Sequence, residues 1–166
     1  CEVAPWLKDG FAGEINKKAE VIIPFEYQDI GVFQGGIAYY AINGNYGFID
    51  STGVKITSAE FQNISGFNED MAIVVSGDKV GFINKKGEKS IPAVYDWADS
   101  FSGGLAPVLK DGKVGYINNT GDVVIPFEYD NAEKFYNVFA RTISGETIYL
   151  INTKGEKIKT YLKEDI

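Results

Sequence analysis

Gly13-Glu14-Ile15-Asn16, Gly47-Phe48-Ile49-Asp50, Gly81-Phe82-Ile83-Asn84, Gly115-Tyr116-Ile117-Asn118 and Tyr149-Leu150-Ile151-Asn152 follow one another at a constant spacing of 34 residues. A fixed period of this length without insertion or deletion specifies a repeat architecture. Each unit of such an array cannot bury its apolar side alone, so the repeated positions are those that stack on neighbouring units. The same spacing relates Ala4, Ala38, Ala72, Ala106 and Ala140, and it relates Phe33, Phe67, Phe101 and Phe135. A constant Ile marks a buried site of fixed volume. A constant Ala marks a close approach, where a larger side chain overpacks. Tyr27, Phe61, Tyr95 and Tyr129 form a further aromatic column that pins the connecting segments to the sheet.

One unit reads as strand, turn, strand, turn, strand, loop. Leu105 to Lys110 is a strand, Asp111-Gly112 is a two-residue hairpin signal, and Lys113 to Asn118 is the returning strand. Asn119-Thr120-Gly121 makes the second turn, where Asn118 is placed to accept from backbone amides ahead of it and Gly121 is free to take positive φ. Asp122 to Ile125 is a third strand, ended or held at an edge by Pro126, and Phe127 to Val138 is expected to be the connecting loop. A 34-residue period also belongs to helical arrays, yet each unit has a Gly in its best strand, a Gly turn and often Ile-Pro (Ile23-Pro24, Ile91-Pro92, Ile125-Pro126), all hostile to a helix interior. The expectation is an all-β domain over residues 1–166, five three-stranded units with strand starts near 3, 37, 71, 105 and 139, stacked as an open curved antiparallel β-solenoid. The alternative is a closed five-bladed propeller-like ring, with Val3 to Leu7 pairing the last unit. The solenoid is preferred because 34 residues is short for a four-stranded blade of about 40.

Eleven Phe, ten Tyr, two Trp and 19 Gly suit short strands joined by tight turns and exclude disorder. A formal charge of −7 repels phosphate backbones, which makes nucleic acid and anionic membranes poor partners. No apolar run approaches the roughly 20 residues that span a bilayer, so no membrane insertion is expected. Cys1 is the sole cysteine, which rules out an intramolecular disulfide. As a first residue it reads either as the lipid-anchored cysteine of a mature bacterial lipoprotein or as a fragment boundary. Val3-Ala4-Pro5 through Gly10 already matches Leu105-Ala106-Pro107 through Gly112, leaving no spacer between a lipid and the first unit, which favours the fragment.

The run Gly112-Lys113-Val114-Gly115-Tyr116-Ile117-Asn118-Asn119-Thr120-Gly121-Asp122-Val123-Val124-Ile125-Pro126-Phe127-Glu128-Tyr129-Asp130, followed by Phe135, resembles the bacterial WG repeat. The resemblance covers essentially the whole chain. It departs at the Trp of the Trp-Gly pair, since Tyr46, Val80 and Val114 precede Gly47, Gly81 and Gly115. It implies a β-rich repeat module of surface-associated or secreted bacterial proteins, hence an extracytoplasmic or cell-surface setting, with no catalytic residue to carry over.

Histidine is absent, which removes the commonest general base and metal ligand. Glu26, Glu60 and Glu128 share a column, and Glu69, Asp70 and Asp99 fall in loops, but carboxylates that recur with the repeat read as a solvated face, not as a glycosidase pair. Asp50-Ser51-Thr52-Gly53 hints at a calcium turn, yet Asn16, Asn84, Asn118 and Asn152 replace the acid elsewhere, so turn chemistry is the expectation and no metal or cofactor is assigned. Binding residues are sought where the repeat is broken. Trp97 stands in a column of Asp29, Asn63, Asn131 and Asp165, and Tyr136 in a column of Gln34, Asn68 and Ser102. Large rings on otherwise polar columns point to contact with a protein or carbohydrate partner, and the competing reading is that each ring folds down into a local gap. The expected function is a non-catalytic interaction module, the alternative a structural spacer or stalk that holds another domain away from the envelope.

Overall fold

The computed structural model describes residues 5–165. Among them there is no α-helix, only a 3-10 turn at Lys163–Asp165, and every other element is a strand of one of five antiparallel sheets in tandem. By contact the chain divides into two compact units, residues 1–64 with 85–87 and residues 65–84 with 88–166.

The first unit holds the sheet β1 (Trp6–Lys8), β2 (Phe11–Ile15), β3 (Val21–Tyr27), in that order, and the sheet β4 (Asp29–Ile30), β5 (Ile37–Ile42), β6 (Asn45–Asp50), followed by β7 (Asn63–Ile64). The second unit holds β8 (Met71–Ser76), β9 (Lys79–Asn84) and β10 (Ile91–Tyr95), paired in the order β10-β9-β8. Its next sheet runs β11 (Trp97–Ala98), β12 (Ala106–Lys110), β13 (Lys113–Ile117), β14 (Val123–Tyr129), and its last runs β15 (Asn131–Ala132), β16 (Phe139–Ser144), β17 (Thr147–Asn152), β18 (Lys157–Leu162). The segment expected as a loop therefore contributes a further strand of two residues, and that brevity is how a fourth strand fits within 34 residues. Val3 and Ala4, on which the closed-ring alternative turned, lie outside the described residues, as does Cys1.

Local chemistry sets these elements. Asp111 and Gly112 take φ of 51° and 77°, the pair of positive values that lets a two-residue turn follow the twist of the flanking strands. The Asn118 side-chain oxygen accepts from the Thr120 and Asp122 amides at 3.1 and 2.8 Å, closing the second turn. Asp50 does the same with the Thr52 and Val54 amides at 2.9 and 3.0 Å, and the Thr52 hydroxyl holds its carboxyl below the usual range. The third strand differs from expectation, because β14 runs on through Pro126 to Tyr129. Tyr116 pairs with Ile125 but Val114 with Tyr129, so the register slips there, and the irregularity gives Pro126 a place where no ladder amide is needed. Gly115 makes the slip possible: a Cβ on it would stand 2.7 Å from the Ile125 carbonyl oxygen.

Packing follows the columns. Phe82, Ile91 and Tyr95 of the third sheet, with Phe101 from the β11–β12 connection, enclose Ala106, Val108 and Ile117 of the fourth, and Val114, Tyr116, Ile125 and Tyr129 of the fourth enclose Ala140 and Ile151 of the fifth. In the first unit Ala12, Ile23 and Tyr27 pack with Ala38, Tyr40 and Ile49. Ring pairs recur at nearly constant distance, Phe82 edge-on to Phe101 at 5.0 Å and Tyr116 tilted against Phe135 at 5.1 Å. Ile49, Ile83, Ile117 and Ile151 are fully buried, whereas Ile15 is half-buried, and Ala4 lies outside the described residues.

Candidate functional site

Trp97 lies on β11 opposite Leu109 and is 41% exposed. Tyr136 opens the turn Tyr136-Asn137-Val138-Phe139, closed by reciprocal backbone bonds between its first and last residues, and is 83% exposed. Neither ring is buried. The two belong to different sheets and to different positions within the repeat. Tyr136 borders a hollow of about 370 Å³ together with Val138, Phe139, Arg141 and Leu150, with Glu133 and Lys134 at its polar side.

That hollow sits on one face of the fifth sheet. The ladder aligns Arg141, Leu150 and Lys159 in one row across β16, β17 and β18, and Ile143, Ile148 and Tyr161 in the next. A second, almost wholly apolar hollow of about 140 Å³ lies between Ile148, Leu150 and Tyr161 and shares Arg141 and Leu150 with the first. The Arg141 guanidinium pairs with Glu133 through both Nε and Nη2, which fixes it beside Leu150 as a planar wall. The β16–β17 hairpin is tied down by Asp130, which accepts from the Gly145 amide at 2.7 Å; that bond and the Lys113 ammonium hold the Asp130 carboxyl below its ordinary value. Strands β16 to β18 carry Arg141, Lys157 and Lys159 and no acid; Arg141 and Lys159 share the row of Leu150, whereas Lys157 lies opposite Ile151 on the other face. Lys157 lies 4.2 Å from the Tyr149 ring centre and Lys159 5.1 Å from that of Tyr161.

Sequence reasoning found Tyr136 but not this face. Its signals were present as breaks in the repeat: Arg141 is the chain's only arginine, Tyr149 replaces the column glycine, Leu150 replaces an aromatic, and β18 has no Ile-Pro. Tyr149 is possible because β17 and β18 pair in regular register across it, Tyr149 opposite Thr160, so no backbone crowds its Cβ. Among the described residues no group of three or more carboxylates or cysteines is placed to hold a metal ion.

Among solved structures, the chain is similar to a eukaryotic initiation factor (TM-score 0.62, 10% identity, 95% of this chain and 51% of that one). It is also similar to Hsv2 of Kluyvelomyces marxianus (0.53, 11%, 84% and 50%) and to Kluyveromyces lactis Hsv2 (0.50, 13%, 95% and 59%). These are β-propeller-like repeat proteins, and at such identity the likeness is one of fold alone. The chain spans about half the length of the structures it matches. No curated protein matches it. The sequence profile described as WG containing repeat matches residues 13–46, 46–79, 81–113 and 115–141. Those four matches cover most of the chain in the 34-residue rhythm already described, and the chain belongs to the WG repeat family.

Proposed function

We propose that the chain is a non-catalytic interaction module that holds a protein or glycan partner on the outer face of its fifth sheet. The observation that carries this reading is the pair of adjoining hollows bordered by Tyr136, Phe139, Arg141, Leu150 and Tyr161. A shallow apolar floor, exposed rings and one fixed guanidinium form the residue set on which binding energy concentrates at protein surfaces. Phe139 is 39% exposed, whereas Met71 and Leu105 in the same column are buried, so the fifth sheet presents to solvent an apolar position that the third and fourth sheets cover. Large exposed rings cost solubility unless a partner covers them.

The test is a binding screen of the domain against immobilised peptides and envelope glycans, comparing the unaltered chain with Tyr136→Ala, Leu150→Ser and Trp97→Ala. Retention is expected to fall at least tenfold for Tyr136→Ala and Leu150→Ser and to persist for Trp97→Ala. If no probe is retained, or if Tyr136→Ala lowers thermal stability without lowering any retention, the ring is structural and the spacer reading takes its place.

A further inference from the structure

Resting on that reading, we propose that the free edge of β18 takes an acidic peptide as an added strand, one carboxylate beside Lys159 and an apolar side chain two residues away in the hollow beside Tyr161. β18 is the outermost strand of its sheet, and no strand among the described residues pairs its other side. The corresponding strands β3, β10 and β14 each carry a proline at a register slip, Pro24, Pro92 and Pro126, which blunts their edges. β18 has no proline; it pairs residue for residue from Leu162 to Lys159 and slips only between Lys159 and Lys157. An edge of this kind offers backbone donors and acceptors to an extended segment.

Three observations choose the occupant. First, Lys157 and Lys159 make no ion pair among the described residues and lie over tyrosine rings, so the edge repels a second copy of itself and attracts carboxylates. Second, Lys159 and Lys163 occupy the columns of Ile125 and Tyr129, which the fourth sheet buries against the fifth; cations in those columns are unsuited to covering by a further repeat. Third, the hollow between Ile148, Leu150 and Tyr161 is apolar and about 140 Å³, the size of one aliphatic side chain rather than of a hydroxylated sugar. Side chains on one face of a strand recur every second residue. Lys159 and Tyr161 therefore set the acid-to-apolar spacing of the partner.

The probe is the fluorescein-labelled peptide acetyl-Ser-Glu-Thr-Glu-Thr-Leu-Thr-Glu-amide, followed by fluorescence anisotropy at low salt on the full chain. The same peptide N-methylated on alternate residues, a version with lysine in place of glutamate, and an oligogalacturonate are run beside it. Binding of the acidic peptide is expected to weaken at least tenfold on N-methylation and at least tenfold in Lys159→Glu. The lysine version should recover affinity for Lys159→Glu, whose exposed side chain leaves folding intact by circular dichroism. Equal binding of the N-methylated peptide overturns strand addition. Binding of oligogalacturonate but not of the acidic peptide overturns the inference and leaves the interaction reading standing with a glycan partner. Silence of both probes overturns the inference, and silence of the broader screen as well removes the interaction reading.

Discussion

Replacing Gly81 with alanine tests the device that lets a unit carry its Ile-Pro slip, as at Ile91-Pro92. A Cβ on Gly81 would stand 2.7 Å from the Ile91 carbonyl oxygen, 2.7 Å from the Ala93 nitrogen and 2.8 Å from the Pro92 carbonyl carbon. All three are backbone atoms, which cannot swing aside as a long side chain can, so β9 and β10 must part by roughly 0.6 Å to reach an ordinary carbon contact of about 3.4 Å. That displacement strains the ladder between Phe82 and Ile91. Overpacking of this kind costs about 1–3 kcal/mol, and the lower entropy of the unfolded alanine chain returns roughly 0.4–1 kcal/mol. The expected net loss is about 1–2 kcal/mol, or a fall in Tm of roughly 2–8 °C for a chain of this size. Gly66→Ala is the matched control, since a Cβ there meets nothing within 4 Å and its φ is not positive. Thermal and urea unfolding of both variants, with the m-value held constant, give the comparison. A Tm for Gly81→Ala equal to or above that of Gly66→Ala would refute the close-approach account of the glycines that recur every 34 residues.

The repeated apolar columns give a second pair of variants: Ile83→Ala, at a fully buried site, should cost about 2–5 kcal/mol, and Ala72→Leu about 1–3 kcal/mol, both read from urea midpoints; unchanged midpoints would place these columns on the surface. Glu14 occupies the column of Phe48, Phe82 and Tyr116, is 7% exposed, has one carboxyl oxygen without a hydrogen-bond partner, and burial raises its pKa above 4.5. The folded state then favours the protonated form, so the contribution of Glu14 is fully present below its unfolded value and is lost as pH rises through the folded one. Glu14→Gln should accordingly raise Tm more at pH 7.5 than at pH 4, and a gain confined to pH 4 would contradict this. Tyr136→Ala should leave the urea midpoint within about 0.5 kcal/mol of the parent, as for other exposed sites; a larger loss would mean that the ring supports its turn.

The all-β tandem architecture was legible because it depends on positions that recur. The Ile and Ala columns, the Asp111-Gly112 hairpin and the Asn118 turn all sit where the spacing placed them. What was not legible depends on pairing across a slip. Proline lacks a donor, so Pro126 read as the end of a strand; only the register shows that the ladder skips it and resumes at Tyr129. The two-residue strands were missed for a related reason: Asn131-Ala132 has no alternation to detect and becomes a strand only by lying against Ile143 and Thr142. For the candidate site, a column comparison found Tyr136, since one ring among polar residues is visible in a single column. The rest of the face is assembled from three strands, and its meaning comes from rows across the ladder, which no single column contains.

Those rows also explain why the fifth sheet can differ without loss of fold. Its side facing the fourth sheet keeps the repeat's residues, Ala140 and Ile151, because Val114, Tyr116 and Ile125 pack there. Its other side keeps apolar character at Phe139, Ile143, Ile148, Leu150 and Tyr161 and turns cationic at Lys159 and Lys163. Side chains alternate between the two faces of a strand, so substitutions on one face leave the packing of the other untouched. Stability and recognition are thereby carried by separate residues of the same three strands. Charge reversal at Lys159 should change what the domain binds and leave the temperature at which it unfolds, whereas loss of Ile151 should do the opposite through unfolding alone.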